Sequence, residues 1–343
     1  MIRIADYEIG DGNKPYIIAE MACAHDGDVD KAYKLIDMAV NAKADAVQFQ
    51  IFHTDEIVVP AHHLHPVLLK IEFSEKEWID LAIYAKSKKI HVMVCTYDVK
   101  SVGLAVKMNA DGIKLNSADL LNFDVLRAVS DSGLPFTLGT GASTVDEIDT
   151  ALTFLGELGA NNVILMHGVQ NFPTKINNLN IKRIELLKNL FQIPVGYHDH
   201  TDSEEVFSKY VDLIAIGLGA NVIEKHITLD RSVKGLDYQA ALEPEEFNNF
   251  VQTIHMAYVA LGSMKLTALS ESDKKYRTFQ KKSIVVISDL KVGDILSRDK
   301  VMFLRNLSNG ISPNEFERME GRRISKDIKA YENITWENVE YEI

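Results

Sequence analysis

Across residues 1–262, short apolar runs rich in β-branched and aromatic residues alternate with longer amphipathic segments, and they do so eight times. The runs span 16–22, 46–52, 91–97, 112–117, 135–141, 162–168, 194–200 and 222–228, each of a length and composition that suits a strand. Between them, stretches such as 31–40 and 78–85 carry apolar residues at i, i+3 and i+4, the spacing of a helix with one buried face. Ser74 with Glu77, and Thr144 with Glu147, are capping-box patterns that mark where two helices begin. Eight strand–helix units predict an α/β fold, a (β/α)8 TIM barrel, with its active site at the carboxyl ends of the strands. A doubly wound open sheet is the rival, but no Gly-x-Gly-x-x-Gly follows the first strand.

A barrel of about 250 residues leaves part of the 343-residue chain over. The polar stretch 266–282, LTALSESDKKYRTFQKK, reads as a linker, dividing a barrel domain, 1–265, from a second unit, 283–343. That unit opens on a strand at 283–287, followed by a turn at 290–294 and a further apolar run at 301–304. About 60 residues make a marginal core, so support from the barrel or from another subunit is expected.

No apolar run approaches a membrane span, and the first residues, MIRIADYEIGDG, lack the basic and then apolar character of a signal peptide. A cytoplasmic protein with no membrane partner is the expectation. The formal net charge of -12 argues against nucleic acid as a partner and requires any anion site to be assembled locally from Lys, Arg, His or metal. Cys23 and Cys95, the only cysteines, read as buried thiols rather than a disulfide or zinc pair.

The polar residues at the strand ends carry the chemistry. The seventh and eighth strands finish in Tyr197-His-Asp-His200 and Glu224-Lys-His226, so His200 and His226 would aim imidazoles at one mouth, a pattern that suits Mn²⁺, Zn²⁺ or Fe²⁺ better than Mg²⁺. Glu20 is an acid in an apolar strand: either a general acid or base, or a structural partner for a cation inside the barrel. Gln48 and Gln50 share a face by period-two alternation, and Lys114 needs either an acid neighbour or an anionic ligand. Thr96, at the third strand's tip, and Ser117, at the fourth's, are taken as substrate-binding hydroxyls, and Gly139-Thr-Gly-Ala-Ser143 before a helix suits an anion. His167 is either a third metal ligand or a packed histidine, His25 has the position of a loop residue, and Asp237, in a long loop after the eighth strand, is placed to meet substrate hydroxyls.

The runs IAEMACAHDG, KAYKLIDMAVNAKADAVQFQ, GIKLNSADL, GTGAST, PVGYHDHT, GANVIEKHITLD and LEPEE, in this order, resemble the sialic acid synthase family of nonulosonate synthases. The segment SIVVISDLKVGDILSRDKVMFLRNLSNGISP resembles the antifreeze-like (SAF, β-clip) domain that closes those enzymes. The resemblance covers nearly the whole chain. It implies condensation of phosphoenolpyruvate with N-acetylmannosamine or a related N-acetylated 2,4-diamino hexose, giving a nine-carbon 2-keto sugar acid and phosphate. It assigns His200 and His226 to a divalent metal, usually Mn²⁺, with Mg²⁺ as another candidate. Glu20 is assigned to sugar and water positioning, Lys114 and Ser117 to phosphoenolpyruvate, and Asp237 to the sugar. Arg305 matches an arginine that reaches the partner subunit's site, which implies a domain-swapped homodimer.

Some substrate-facing positions depart from the family. Gln48 stands where Lys is usual, and a lost cation weakens anion binding. His198-Asp-His200 replaces Ser-Asp-His, so that His198 either supplies the missing positive charge when protonated or acts as a further ligand. Gly139 stands where Ser is typical, and the loop Gly168-Val-Gln170-Asn-Phe172, with Gln170 and Phe172 read as substrate-binding, is also altered. A metal-dependent lyase or aldolase on the same barrel, and a non-catalytic sugar-binding protein, are the alternative readings.

Overall fold

The computed structural model describes residues 2–262, 268–308 and 310–340. The chain divides into two compact units, 1–263 and 264–343. The boundary read at 265/266 falls outside the described residues.

The first unit is a closed barrel of eight parallel strands: β3 (Tyr16–Glu20), β4 (Ala46–Ile51), β5 (His91–Thr96), β6 (Gly112–Leu115), β7 (Phe136–Gly139), β8 (Val163–His167), β9 (Val195–Asp199) and β10 (Val222–His226), with β10 pairing back to β3. Helices follow the strands, and the two capping boxes form at Ser74 and Thr144. Alternation divides each strand between two cores. Residues such as Ile17, Val47, Val94, Leu115 and Leu138 face the helices in one large cluster, whereas Ile18, Ala46, Met93, Ile164 and Val222 face inward.

Two strands precede the barrel. β1 (Ile2–Ile4) and β2 (Tyr7–Ile9) form an antiparallel pair, and Ile2, Ile4 and Ile9 pack on the inward residues Tyr16, Ile18 and Val222, closing the amino end of the barrel. The opposite end is left for polar side chains.

The second unit pairs β11 (Ser283–Val286) with β12 (Val301–Leu304), antiparallel, over its own core of Ile284, Val286, Leu296, Phe316, Ile324 and Ile334. Within the stretch read as a linker lies a helix, Glu271–Gln280, capped by Ser270 and with none of its residues buried. No helix among the described residues is long and apolar enough to cross a membrane.

Candidate active site

Period-two alternation sends Glu20, Gln48, Lys114 and Glu224 into the barrel, where all four are almost entirely buried. Lys114 Nζ pairs with Glu224 and lies 3.3 Å from Glu20 Oε2. The Gln48 amide donates to Glu20 and, at 3.1 Å, to Glu224 Oε2, while Glu20 Oε1 accepts the Ala22 N–H at 2.6 Å. The amide therefore sits between two carboxylates, and among the described residues Lys114 is their only cationic partner. Burial pushes the Glu20 carboxyl up; Lys114 opposes that shift and Glu224 adds to it. Burial works against the Lys114 ammonium, but Glu224 and Glu20 outweigh it and raise its pKa.

Above this cluster opens a cavity of about 110 Å³, lined by Glu20, Gln50, Cys95, Tyr97, Lys114, Asn116, Gln170, Phe172, His200, His226 and Asp237. A second cavity of about 250 Å³, between the segment after β3 and the loop after β10, shares His226 and Asp237 with it. Burial raises the Asp237 carboxyl, with Lys114 acting the other way. The sequence reading did not single out Glu224 or Cys95 as site residues. Alternation outward from His226 and from Met93 puts both on the inner face, and that signal was available.

The imidazoles of His200 and His226 meet edge to face with centroids 5.1 Å apart, and the Phe172 ring lies 4.1 Å from that of His200. Burial lowers the pKa of both histidines, so both are neutral near pH 7. His200 Nδ1 lies 2.8 Å from the Val169 carbonyl, which assigns its proton there and leaves Nε2 as a lone-pair donor. Two neutral nitrogens on one cavity wall fit a divalent transition metal that keeps other positions open for substrate. Among the described residues no group of three or more His, Cys, Asp or Glu side chains is gathered closely enough to hold an ion. The protein would thus supply only part of a coordination shell.

Beside these histidines, Ser117 Oγ accepts the Gly141 N–H at 3.0 Å and the Gln170 amide at 3.1 Å. Gln170 Nε2 in turn lies 3.2 Å from His198 Nε2. Two glycines permit this wall: a Cβ at Gly139 would come within 2.6 Å of Ser117 Oγ, and one at Gly168 would overlap the His198 imidazole. The departures at 139, 168, 170 and 198 therefore interlock sterically.

Several expectations need correction. His198 does not supply a positive charge: burial, then His200 and Lys114, hold its pKa well below the ordinary value. Thr96 is not on the substrate side. It pairs in register with Ile51 and Leu115, which face the helices, while its neighbour Cys95 lines the cavity. His167 takes the packed alternative, 2.8 Å from the Leu179 carbonyl. His25 lies in the turn after β3, as expected of a loop residue, but is fully buried against Phe73 and Trp78. Arg305 lies in the second unit and is exposed there.

The family model for the NeuB family matches residues 35–266. The chain belongs to the NeuB family. A SAF domain model matches residues 281–340. Over 343 aligned residues the chain is 32% identical to the N,N'-diacetyllegionaminic acid synthase of Legionella pneumophila, covering 95% of this chain and 94% of that one. It is equally similar, 32%, to the Campylobacter jejuni protein of the same name, with 94% and 99% covered. Among solved structures, the N-acetylneuraminic acid (sialic acid) synthetase of Leptospira borgpetersenii superposes with a TM-score of 0.75 at 30% identity, covering 80% of this chain and 95% of that one. A TIM barrel with a SAF domain and a role in carbohydrate biosynthesis follow from the family.

Proposed function

We propose that this NeuB-family protein condenses phosphoenolpyruvate with an N-acetylated hexose, N-acetylmannosamine or a related 2,4-diamino sugar, to a nine-carbon 2-keto sugar acid and phosphate. The observation that carries this reading is the convergence of Lys114, Glu20, Asp237, His200 and His226 on one cavity at the carboxyl mouth of the barrel.

Lys114 supplies the fixed positive charge for an anionic donor in an acidic protein, and the Ser117–Gln170 wall adds neutral hydrogen-bonding groups. Glu20, lifted by burial and held by the Ala22 N–H and the Gln48 amide, is suited to retain or move a proton at the reacting carbons. Asp237, at the junction of the two cavities, binds acceptor hydroxyls. A divalent ion held by His200 and His226, most readily Mn²⁺, would supply Lewis-acid polarisation of the acceptor's carbonyl. The C3 of phosphoenolpyruvate bonds to the acceptor's carbonyl carbon, water adds at C2, and phosphate leaves. In the dimer proposed from the resemblance, Arg305 of one subunit serves the other subunit's site.

Gln48 favours a second reading, a metal-dependent lyase or aldolase, because its amide is committed to two carboxylates and brings no charge to the cavity. The test is phosphate release from phosphoenolpyruvate with a panel of N-acetylated hexoses, with and without Mn²⁺. Release that needs both a particular sugar and the metal is the expected result. No release with any sugar would overturn the synthase reading and leave the lyase.

A further inference from the structure

On the outer face of the same two strands lies a second buried ionic cluster that the proposed chemistry does not touch. Lys225, between Glu224 and His226 on β10, points away from the cavity and pairs with Asp199 of β9, its register neighbour. Its ammonium also lies 2.9 Å from Asp212 Oδ2, on the helix Ser208–Gly217. All three side chains are at most 3% exposed. Burial drives Asp212 up to about 7; Lys225 opposes the shift and Asp199 reinforces it.

Such a cluster is a poor source of stability. Desolvating three charges costs about as much as their attraction returns, and apolar replacements of similar volume are often neutral or stabilising. Its geometry supplies another reason for its presence. Asp199 accepts the Thr201 N–H at 3.2 Å and the Thr201 hydroxyl at 2.6 Å, closing a turn with His200 at its centre. Tyr197 donates to the same carboxylate at 2.9 Å. Lys225 then joins that turn to the strand position immediately before His226.

We propose that the Asp199–Lys225–Asp212 triad is a positioning device that fixes the separation of the His200 and His226 imidazoles from behind the sheet. Asp212 anchors Lys225 to the helix layer, Lys225 grips Asp199, and Asp199 holds the turn that carries His200. The inference rests on the reading of those histidines as a metal pair, so its test includes a readout that needs no metal.

The experiment compares the full chain with the Lys225→Met/Asp212→Leu double variant, in which Asp199 keeps its bonds from Tyr197 and Thr201. Three quantities are measured: the Tm of metal-free protein, the Mn²⁺ dissociation constant, and the imidazole NMR resonances of His200 and His226 in the metal-free state. The expected result is a folded protein whose Tm is lowered by the buried Asp199 charge left without its cation, Mn²⁺ affinity weaker by about 10–100-fold, and displaced His200 and His226 resonances while those of His53 and His91 stay in place. Unchanged resonances and unchanged Mn²⁺ affinity in the folded variant would overturn the proposal. Should the double variant not fold, Thr201→Val, which removes one hydroxyl from Asp199, replaces it and is judged on the same readouts. A parent that binds no Mn²⁺ would overturn the metal reading alone, and the imidazole resonances then decide the positioning role.

Discussion

Lys114 is the residue on which the interior depends most, because two carboxylates share its one ammonium with almost no solvent between them. Replacing it by Met leaves Glu20 and Glu224 facing each other without a cation. Losing one partner of a buried pair costs about 3–5 kcal/mol, so Lys114→Met should lower unfolding free energy by that order in a denaturant titration. Phosphoenolpyruvate binding should be lost in the same variant. His25 offers a pH-dependent counterpart outside the cavity. It accepts the Gly27 N–H on Nδ1, its Nε2 has no partner among the described residues, and burial lowers its pKa to about 4. The unfolded chain binds this proton near pH 6.5 and the folded chain only near 4, so the stability tied to neutral His25 is present above 6.5 and lost as pH falls towards 4. Between pH 7 and pH 5 the parent should lose about 2 kcal/mol that a His25→Asn variant does not, read as a narrowing gap between their unfolding free energies.

At the scale of elements, the barrel strands were legible because each presents a compact β-branched run between helical stretches. What sequence missed follows from local physics. The apolar pattern extends past the strand ends, as at 16–22 against Tyr16–Glu20 and 135–141 against Phe136–Gly139, because the chain leaves the ladder where its side chains turn to the cavity. Strands β1 and β2 are three residues each, too short for alternation to register, and only their contacts with the barrel floor give them a role. The helix Glu271–Gln280 buries nothing, so it has no apolar stripe to announce it. In the site, Glu20, Lys114, His200 and His226 were legible from alternation. The state of His198 was not, because it depends on burial against Gly168 and Gln170, contacts between its strand and the loop after β8. Thr96 shows the cost of misjudging a strand's phase by one residue. The capping boxes were read correctly, and one can be tested. Thr144 accepts the Glu147 N–H at 3.2 Å while Glu147 returns a 2.7 Å bond, so Thr144→Ala should cost about 1 kcal/mol and lower Tm accordingly in a thermal scan.

At the scale of the whole molecule, the barrel and the SAF unit have separate hydrophobic cores, and the cavity described above is lined by barrel residues. Arg305 belongs to the other unit, so its proposed service to a partner's site is a statement about assembly that kinetics can decide. Arg305→Ala removes the travelling arginine but keeps Glu20, and Glu20→Gln removes the proton-handling carboxyl but keeps Arg305. Each homodimer should be impaired, the first chiefly through KM and the second through kcat. When the two are mixed and allowed to exchange, every mixed dimer holds one site with native Glu20 served by the native Arg305 of the other chain. Random pairing in a two-fold dimer should then restore about a quarter of parent activity. If Arg305 acts within its own subunit, each site in the mixed dimer lacks one of the two groups and mixing restores nothing; the activity of the exchanged mixture therefore distinguishes exchange between subunits from action within one.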